Sequence, residues 1–174
     1  ASVDHEGFLY LAGRAKDLII RGGHNIDPAL IEDALLAHPD VTAAAAVARP
    51  DAHSGEVPVA FVAVRPGATV TGDELTAFVG ERISERAAMP KTVTVVDAIP
   101  VTDVGKPYKV PLRATAAEHA LTDALAGEPG VLRIAGRVST GTPLVVLTLE
   151  PAADRTAVER IVKSFAVNVE IHQQ

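Results

Sequence analysis

The chain is expected to be an α+β protein: a small sheet with flanking helices, followed by a helix-strand-strand-helix-strand unit. Three observations point there. Short apolar runs bounded by glycine, proline and aspartate turns alternate with two capped amphipathic helices up to about residue 113. An alanine-rich segment then opens a second series of helix and strand patterns. Finally, 174 residues, 48% of them apolar, suffice for a buried core. The expected division is 1–113 and 114–174.

Taken in order, Phe8 to Ala12 reads as a strand that enters a Gly13-Arg14 turn, and Leu18 to Ile20 as a second strand ending at Gly22-Gly23. Asp27-Pro28 starts a helix: the aspartate can cap free N–H groups, and proline costs nothing at the first helical position. That helix runs to about Ala37 with Leu30, Ile31, Ala34 and Leu35 on its apolar stripe, and His38-Pro39 ends it. Val41 to Ala48 and Val57 to Arg65 read as buried strands across the turn-rich Pro50–Gly55 segment. Thr71-Gly72-Asp73-Glu74 has the form of a capping box and opens a helix presenting Leu75, Phe78, Val79 and Ile83 inward. Thr92 to Val96 is a third strand. In the second unit Ala114 to Ala126 is a helix, Val131 to Val138 and Leu144 to Glu150 are strands, Thr156 to Phe165 is a helix, and Val167 to His172 is a strand.

Bulk properties exclude several classes. A net charge of −6 leaves no basic excess for broad phosphate neutralisation, so no nucleic-acid partner is expected. No apolar run approaches the roughly 20 residues of a membrane span. The first residues lack the basic and apolar regions of a signal peptide. With no cysteine, disulfides and thiolate metal sites are excluded and compartment has no redox marker; cytoplasm is the default expectation. No metal site is expected, and His119 and His172 read as single surface residues.

Chemistry concentrates in two blocks. The first is Gly13-Arg14-Ala15-Lys16-Asp17, continuing through Gly22-Gly23-His24-Asn25-Ile26-Asp27-Pro28. A basic turn followed by a glycine turn suits a phosphate-bearing ligand approached by charge and backbone, and equally describes a charged hairpin with a loop. The second block, Pro100-Val101-Thr102-Asp103-Val104-Gly105-Lys106, follows an apolar strand and precedes Tyr108-Lys109-Val110-Pro111-Leu112-Arg113. Together they resemble the C-terminal domain of the AMP-forming acyl-CoA synthetases, the adenylating superfamily shared with luciferases and peptide-synthetase adenylation domains. The first resembles the hinge motif of that family and the second its terminal Pro-x-x-x-x-Gly-Lys motif. Ile31-Glu32, Arg49-Pro50-Asp51, Gly55-Glu56, Ala60-Phe61-Val62 and Met89-Pro90-Lys91 match in order between them, so the resemblance covers roughly residues 4–113.

The resemblance implies a lid that serves two half-reactions. Adenylation joins two anionic reactants, a carboxylate and the α-phosphate of ATP, so positive charge is needed between them. Lys106 stands where the family carries the lysine that supplies it; the resemblance does not favour Lys109 for that work. Arg14 matches an arginine that meets nucleotide ribose or phosphates, and Asn25 a position whose polar groups reach phosphates. Lys16 matches the hinge about which the lid rotates. Gly22 and Gly23 match glycines lining the pantetheine tunnel, although a turn at positive φ would by itself call for glycine there. ATP and CoA are the implied cofactors, with Mg2+ held mainly by an N-terminal adenylating domain. That domain, a small-molecule carboxylate and CoA are the implied partners, and the appended unit could form a homodimer contact.

Relatives have glutamate where this chain has Leu30. Without a Ser/Thr/Gly-rich phosphate loop, a Tyr-Gly-x-Thr-Glu segment, a carboxylate pocket or an initiator Met, the chain is expected to be a fragment of a larger ligase, inactive alone. Fatty or other hydrophobic acids are the expected substrates. The alternatives are the lid of an acyl-AMP ligase that loads a carrier protein, and a non-catalytic regulatory or assembly module. Acylation of Lys106 would cancel the charge adenylation needs.

Overall fold

A computed structural model describes residues 2–3, 5–10 and 17–174, with backbone only for 2–3 and 9–10. Ser2–Val3 (β1) and Leu9–Tyr10 (β2) form a two-stranded antiparallel ladder. The first main sheet has five strands: Ile19–Arg21 (β3), His24–Ile26 (β4), Val41–Asp51 (β5), Gly55–Val64 (β6) and Val93–Val95 (β7). Its order is β4-β3-β6-β5, with β7 pairing parallel to β6. The β5–β6 hairpin is its backbone, antiparallel from Val41 opposite Val64 to Asp51 opposite Gly55.

Both faces of this hairpin are buried, which is why its sequence reads as almost continuous alanine and valine. On one face Ala46, Ala60 and Val62 meet helices Pro28–Leu36 (α1) and Gly72–Gly80 (α2). On the other, Ala45, Val47, Val59 and Phe61 meet Ile99 and the helix Lys109–Ala124 (α3). The expected caps are present: Asp27 accepts from the Ala29 N–H at 3.0 Å, and Thr71 with Glu74 closes a reciprocal box.

Two expected stripes are corrected. Leu30 is 43% exposed, because the α1 stripe runs through Pro28, Ile31 and Leu35. Phe78 is only half-buried; at the rim it meets His38 edge-on at 4.8 Å, and the Arg82 guanidinium lies 3.4 Å from its ring centre.

The second sheet has the order β10-β9-β8, from Val131–Ser139 (β8), Thr142–Leu149 (β9) and Val169–Gln173 (β10), with the helix Arg155–Val162 (α4) between β9 and β10. Val145, Leu147 and Leu149 of β9 form a core with Val158 and Val162 of α4 and with Ala117, Leu121 and Leu125 of α3. Helix α3 is therefore shared: Leu112 and Ala116 bury against the first sheet, and the next residues round the helix against the second. It begins at Lys109, earlier than its alanine-rich stretch, since Pro111 lies in the first turn where N–H groups are unpaired anyway. Position 113/114 falls inside it.

Close contact seals the junction. A Cβ on Gly136 of β8 would lie 2.3 Å from the Ala114 carbonyl oxygen, and the Gly136 N–H donates to Glu118 at 2.8 Å. Buried Arg49 of β5 bonds the Asp123 carboxylate of α3 and donates to the His119 carbonyl at 3.4 Å, while its Nε has no partner.

Candidate functional site

Arg14 and Lys16 lie outside the described residues. The remaining candidates fall in two places. Gly22 and Gly23 form the two-residue turn between β3 and β4, with Arg21 paired opposite His24. Their φ values of 54° and 89° are those of a type I′ hairpin, a conformation that costs a side-chain-bearing residue energy. The Gly22 N–H donates to the Ser54 carbonyl at 2.8 Å, which anchors the turn on the β5–β6 hairpin. That hairpin turn is in turn held by Asp51, whose carboxylate accepts from the N–H groups of Ser54 at 2.9 Å and His53 at 3.1 Å. These bonds, Ser54 foremost, hold the Asp51 carboxyl below its ordinary range. An added Cβ at either glycine would meet no atom within 4 Å, so backbone conformation alone demands glycine and the space beside the turn is open. Asn25 is exposed on β4 opposite half-exposed Ile20, while Ile19 and Ile26 turn to the core.

Lys106 sits on a different loop, after β7 and before α3. The loop is a tight hairpin: Val101 bridges Pro107, the Thr102 N–H donates to the Lys106 carbonyl at 2.8 Å, and the Gly105 N–H to the Thr102 carbonyl at 2.7 Å. Gly105 at φ 75° makes the turn. Lys106 is exposed and has no ion pair among the described residues. Val101 and Val104 flank it at 58% and 79% exposed. Lys109 contrasts with it. Its Nζ lies 2.6 Å from Glu32, both side chains are largely buried, and the same Glu32 oxygen accepts the Ala46 N–H of β5 at 2.8 Å. Glu32 thus caps part of the open edge of β5, and Lys109 neutralises it.

Sequence reading missed a cleft beside the glycine turn. Arg21, Arg86 and Lys91 line it with His53 and Asp51, around a volume of about 720 Å3. Arg21 donates to the Ala87 carbonyl at 3.0 Å, fixing its stem against the 3-10 turn Arg86–Ala88. Among the described residues three cations and one carboxylate line it, on a chain whose net charge is −6. Only Arg21 neighbours the glycines in sequence; the fold brings the other two cations from far along the chain. Among the described residues no cluster of three or more His, Cys, Asp or Glu could hold a metal ion, and no helix is long and apolar enough to cross a membrane.

A family model described as "AMP-binding enzyme C-terminal domain" matches residues 30–106, the segment from α1 through the Lys106 loop. Residues 30–106 belong to that family. The chain is 52% identical over 110 residues to a marinolic acid–CoA ligase of Pseudoalteromonas sp. (strain SANK 73390), covering 63% of this chain and 17% of that protein. It is 40% identical over 119 residues to the mitochondrial medium-chain acyl-CoA ligase ACSF2 of Mus musculus, covering 68% and 19%. Among solved structures, ATP-bound MatB from Rhodopseudomonas palustris matches with a TM-score of 0.63 at 33% identity, over 68% of this chain and 23% of that one. The chain thus spans under a fifth of these curated relatives' length. Its fold, small sheets with flanking helices, is that of adenylating-enzyme C-terminal domains.

Proposed function

We propose that this chain is the mobile lid of an AMP-forming carboxylate–CoA ligase that acts on fatty or other hydrophobic acids. The observation that carries the reading is the Lys106 loop: a cation on a hydrogen-bonded hairpin, without an ion pair among the described residues and flanked by exposed Val101 and Val104. Such a loop is built to enter another surface. There the ammonium would lie between the substrate carboxylate and the α-phosphate of ATP, offsetting charge as the acyl–phosphate bond forms and pyrophosphate leaves. The relatives named as CoA ligases and the ATP-bound neighbour support ATP and CoA as the reactants. Mg2+ and the acid pocket are assigned to the N-terminal adenylating domain, the lid's partner.

For the second half-reaction, rotation about Lys16 would bring the Gly22–Gly23 turn to the acyl-adenylate. The open space beside that turn suits passage of a pantetheine arm. Arg14 and Asn25 are assigned to nucleotide contacts. The cleft of Arg21, Arg86 and Lys91 beside the turn supports free CoA over a carrier protein, because only free CoA brings a 3′-phosphate to be met by cations. Separating the two half-reactions in this way shields the acyl-adenylate from water. The test compares CoA with dephospho-CoA in the full-length ligase. KM for dephospho-CoA is expected to exceed that for CoA, and Lys91→Ala with Arg86→Ala is expected to erase the difference. Equal KM values in the unaltered enzyme would refute the CoA assignment.

A further inference from the structure

A second cavity lies where the appended unit meets the lid, and neither the Gly22–Gly23 turn nor the Lys106 loop is among its described lining. Its volume is about 210 Å3, smaller than drug-sized sites. Three parts of the chain wall it: Asp17 and Leu18, directly after the hinge position; Ala48, Pro50 and Glu56 of the β5–β6 hairpin; and, in the appended unit, Pro143–Val145 at the start of β9 with Ala166–Asn168 before β10. Arg113 and Ala117 of α3 complete it.

The lining decides what fits. Leu18, Pro50, Leu144, Val145 and Val167 make most of it apolar and branched. Among the described residues the charged groups are two carboxylates and one guanidinium: Asp17 accepts from Arg113 at 2.6 Å, and Glu56 accepts the Ile20 N–H at 2.8 Å. An ionised carboxylate offers about four acceptor positions over its two oxygens, so neither bond exhausts its group. Among the described residues the lining therefore has acceptor positions to spare and one carboxylate more than it has cations. A free anion is opposed there, and an ammonium, with three donors and no acceptor, is matched.

We infer that this junction cavity is a binding site for a small molecule that carries an ammonium group on a branched aliphatic body. Free amino acids and simple alkylamines share that chemistry. The occupant would bridge Asp17 and Leu18 to the appended unit, so residues 114–174 acquire a role, holding the hinge-side strand. Binding stands without the lid reading; only the consequence for rotation rests on it.

The test titrates this 174-residue chain, followed by amide NMR, with three probes. 3-Methylbutylamine carries only the ammonium, 4-methylpentanoate only a carboxylate, and L-leucine both. Saturable shifts at Leu18, Leu144, Val145 and Val167 are expected with the amine at millimolar concentration, and none with the carboxylate. A response to leucine as well assigns the site to amino acids; a response to the amine alone assigns it to alkylamines. Glu56→Gln keeps an oxygen for the Ile20 N–H and is expected to weaken the amine about tenfold. Ala166→Phe, at an exposed position on the cavity wall, is expected to abolish it. No saturable shift with either amine-bearing probe, an equal response to 4-methylpentanoate, or undiminished binding by Glu56→Gln would overturn the site. In the full-length ligase the amine is expected to slow thioester formation from supplied acyl-adenylate. Intact binding without that effect overturns the link to the hinge.

Discussion

Lys106 and Lys109 stand three residues apart and have opposite fates. Lys109 is the first residue of α3, and its ammonium is spent on Glu32, whose oxygen also closes part of the β5 edge. Lys106 is held away from the body by a hairpin whose hydrogen bonds are internal, with exposed Val101 and Val104 beside it. The same side chain is structural in one place and a candidate reagent in the other. What separates them is whether the fold already neutralises the charge. A cation that has its counter-ion within the same domain has little left to give a transition state; one without remains available.

The contrast is sharpest if the two lysines are removed in turn. In the full-length ligase Lys106→Ala is expected to lower adenylate formation by about 10²–10³, the cost of removing one positioned donor, with the melting temperature of the chain unchanged. Lys109→Ala is expected to do the reverse, leaving adenylation near its starting rate and costing about 1–3 kcal/mol in a denaturant melt, because Glu32 then keeps a part-buried charge without its cation. A loss of adenylation in both would erase the distinction.

The junction between the two sheets offers a comparison of similar size. Gly136→Ala is expected to cost about 1–3 kcal/mol, since the new methyl meets backbone at Ala114 that can yield only by shifting α3. Arg49→Met should be milder than Asp123→Asn, read by thermal melts, because methionine fills the space while asparagine leaves a buried guanidinium unpaired. Equal losses from the two would show that the pair contributes packing only.

The smallest effect belongs to Asp51. Its carboxyl is lowered by the Ser54 and His53 N–H bonds, so its contribution to stability is complete above the ordinary aspartate pKa of about 3.9 and is lost as pH falls through the lowered folded value. Asp51→Asn is expected to flatten the acid side of the stability profile by less than about 1 kcal/mol, since the group is largely solvated. A profile unchanged below about pH 4 would contradict the assigned bonds.

Much of this was legible in the residues because each signal was local. Asp27-Pro28 and Thr71-Glu74 announced their helices by capping chemistry, and the Ala/Val runs of β5 and β6 announced two buried strands, though not that both faces of their hairpin would be covered. Gly105-Lys106 could be picked out by its motif, though its exposure could not. The rest depended on distance along the chain. β4 was hidden because His24–Ile26 is short and follows two glycines that signal only a turn; its pairing with β3 makes it a strand. Leu30 was drawn into a stripe by its apolar character, although its angle on α1 points it to solvent. Nothing near Arg21 predicts Arg86 and Lys91 beside it, and the shared role of α3 appears only when both sheets are in place.

The central claim is tested most directly by splitting the two half-reactions in the full-length ligase carrying Lys106→Ala. Pyrophosphate exchange would report adenylate formation, and thioester release from supplied acyl-adenylate would report the second step. The account predicts that exchange collapses while thioester formation from the supplied adenylate continues. Exchange at the unaltered rate, or equal loss of both steps, would contradict a lid whose exposed lysine serves adenylation alone.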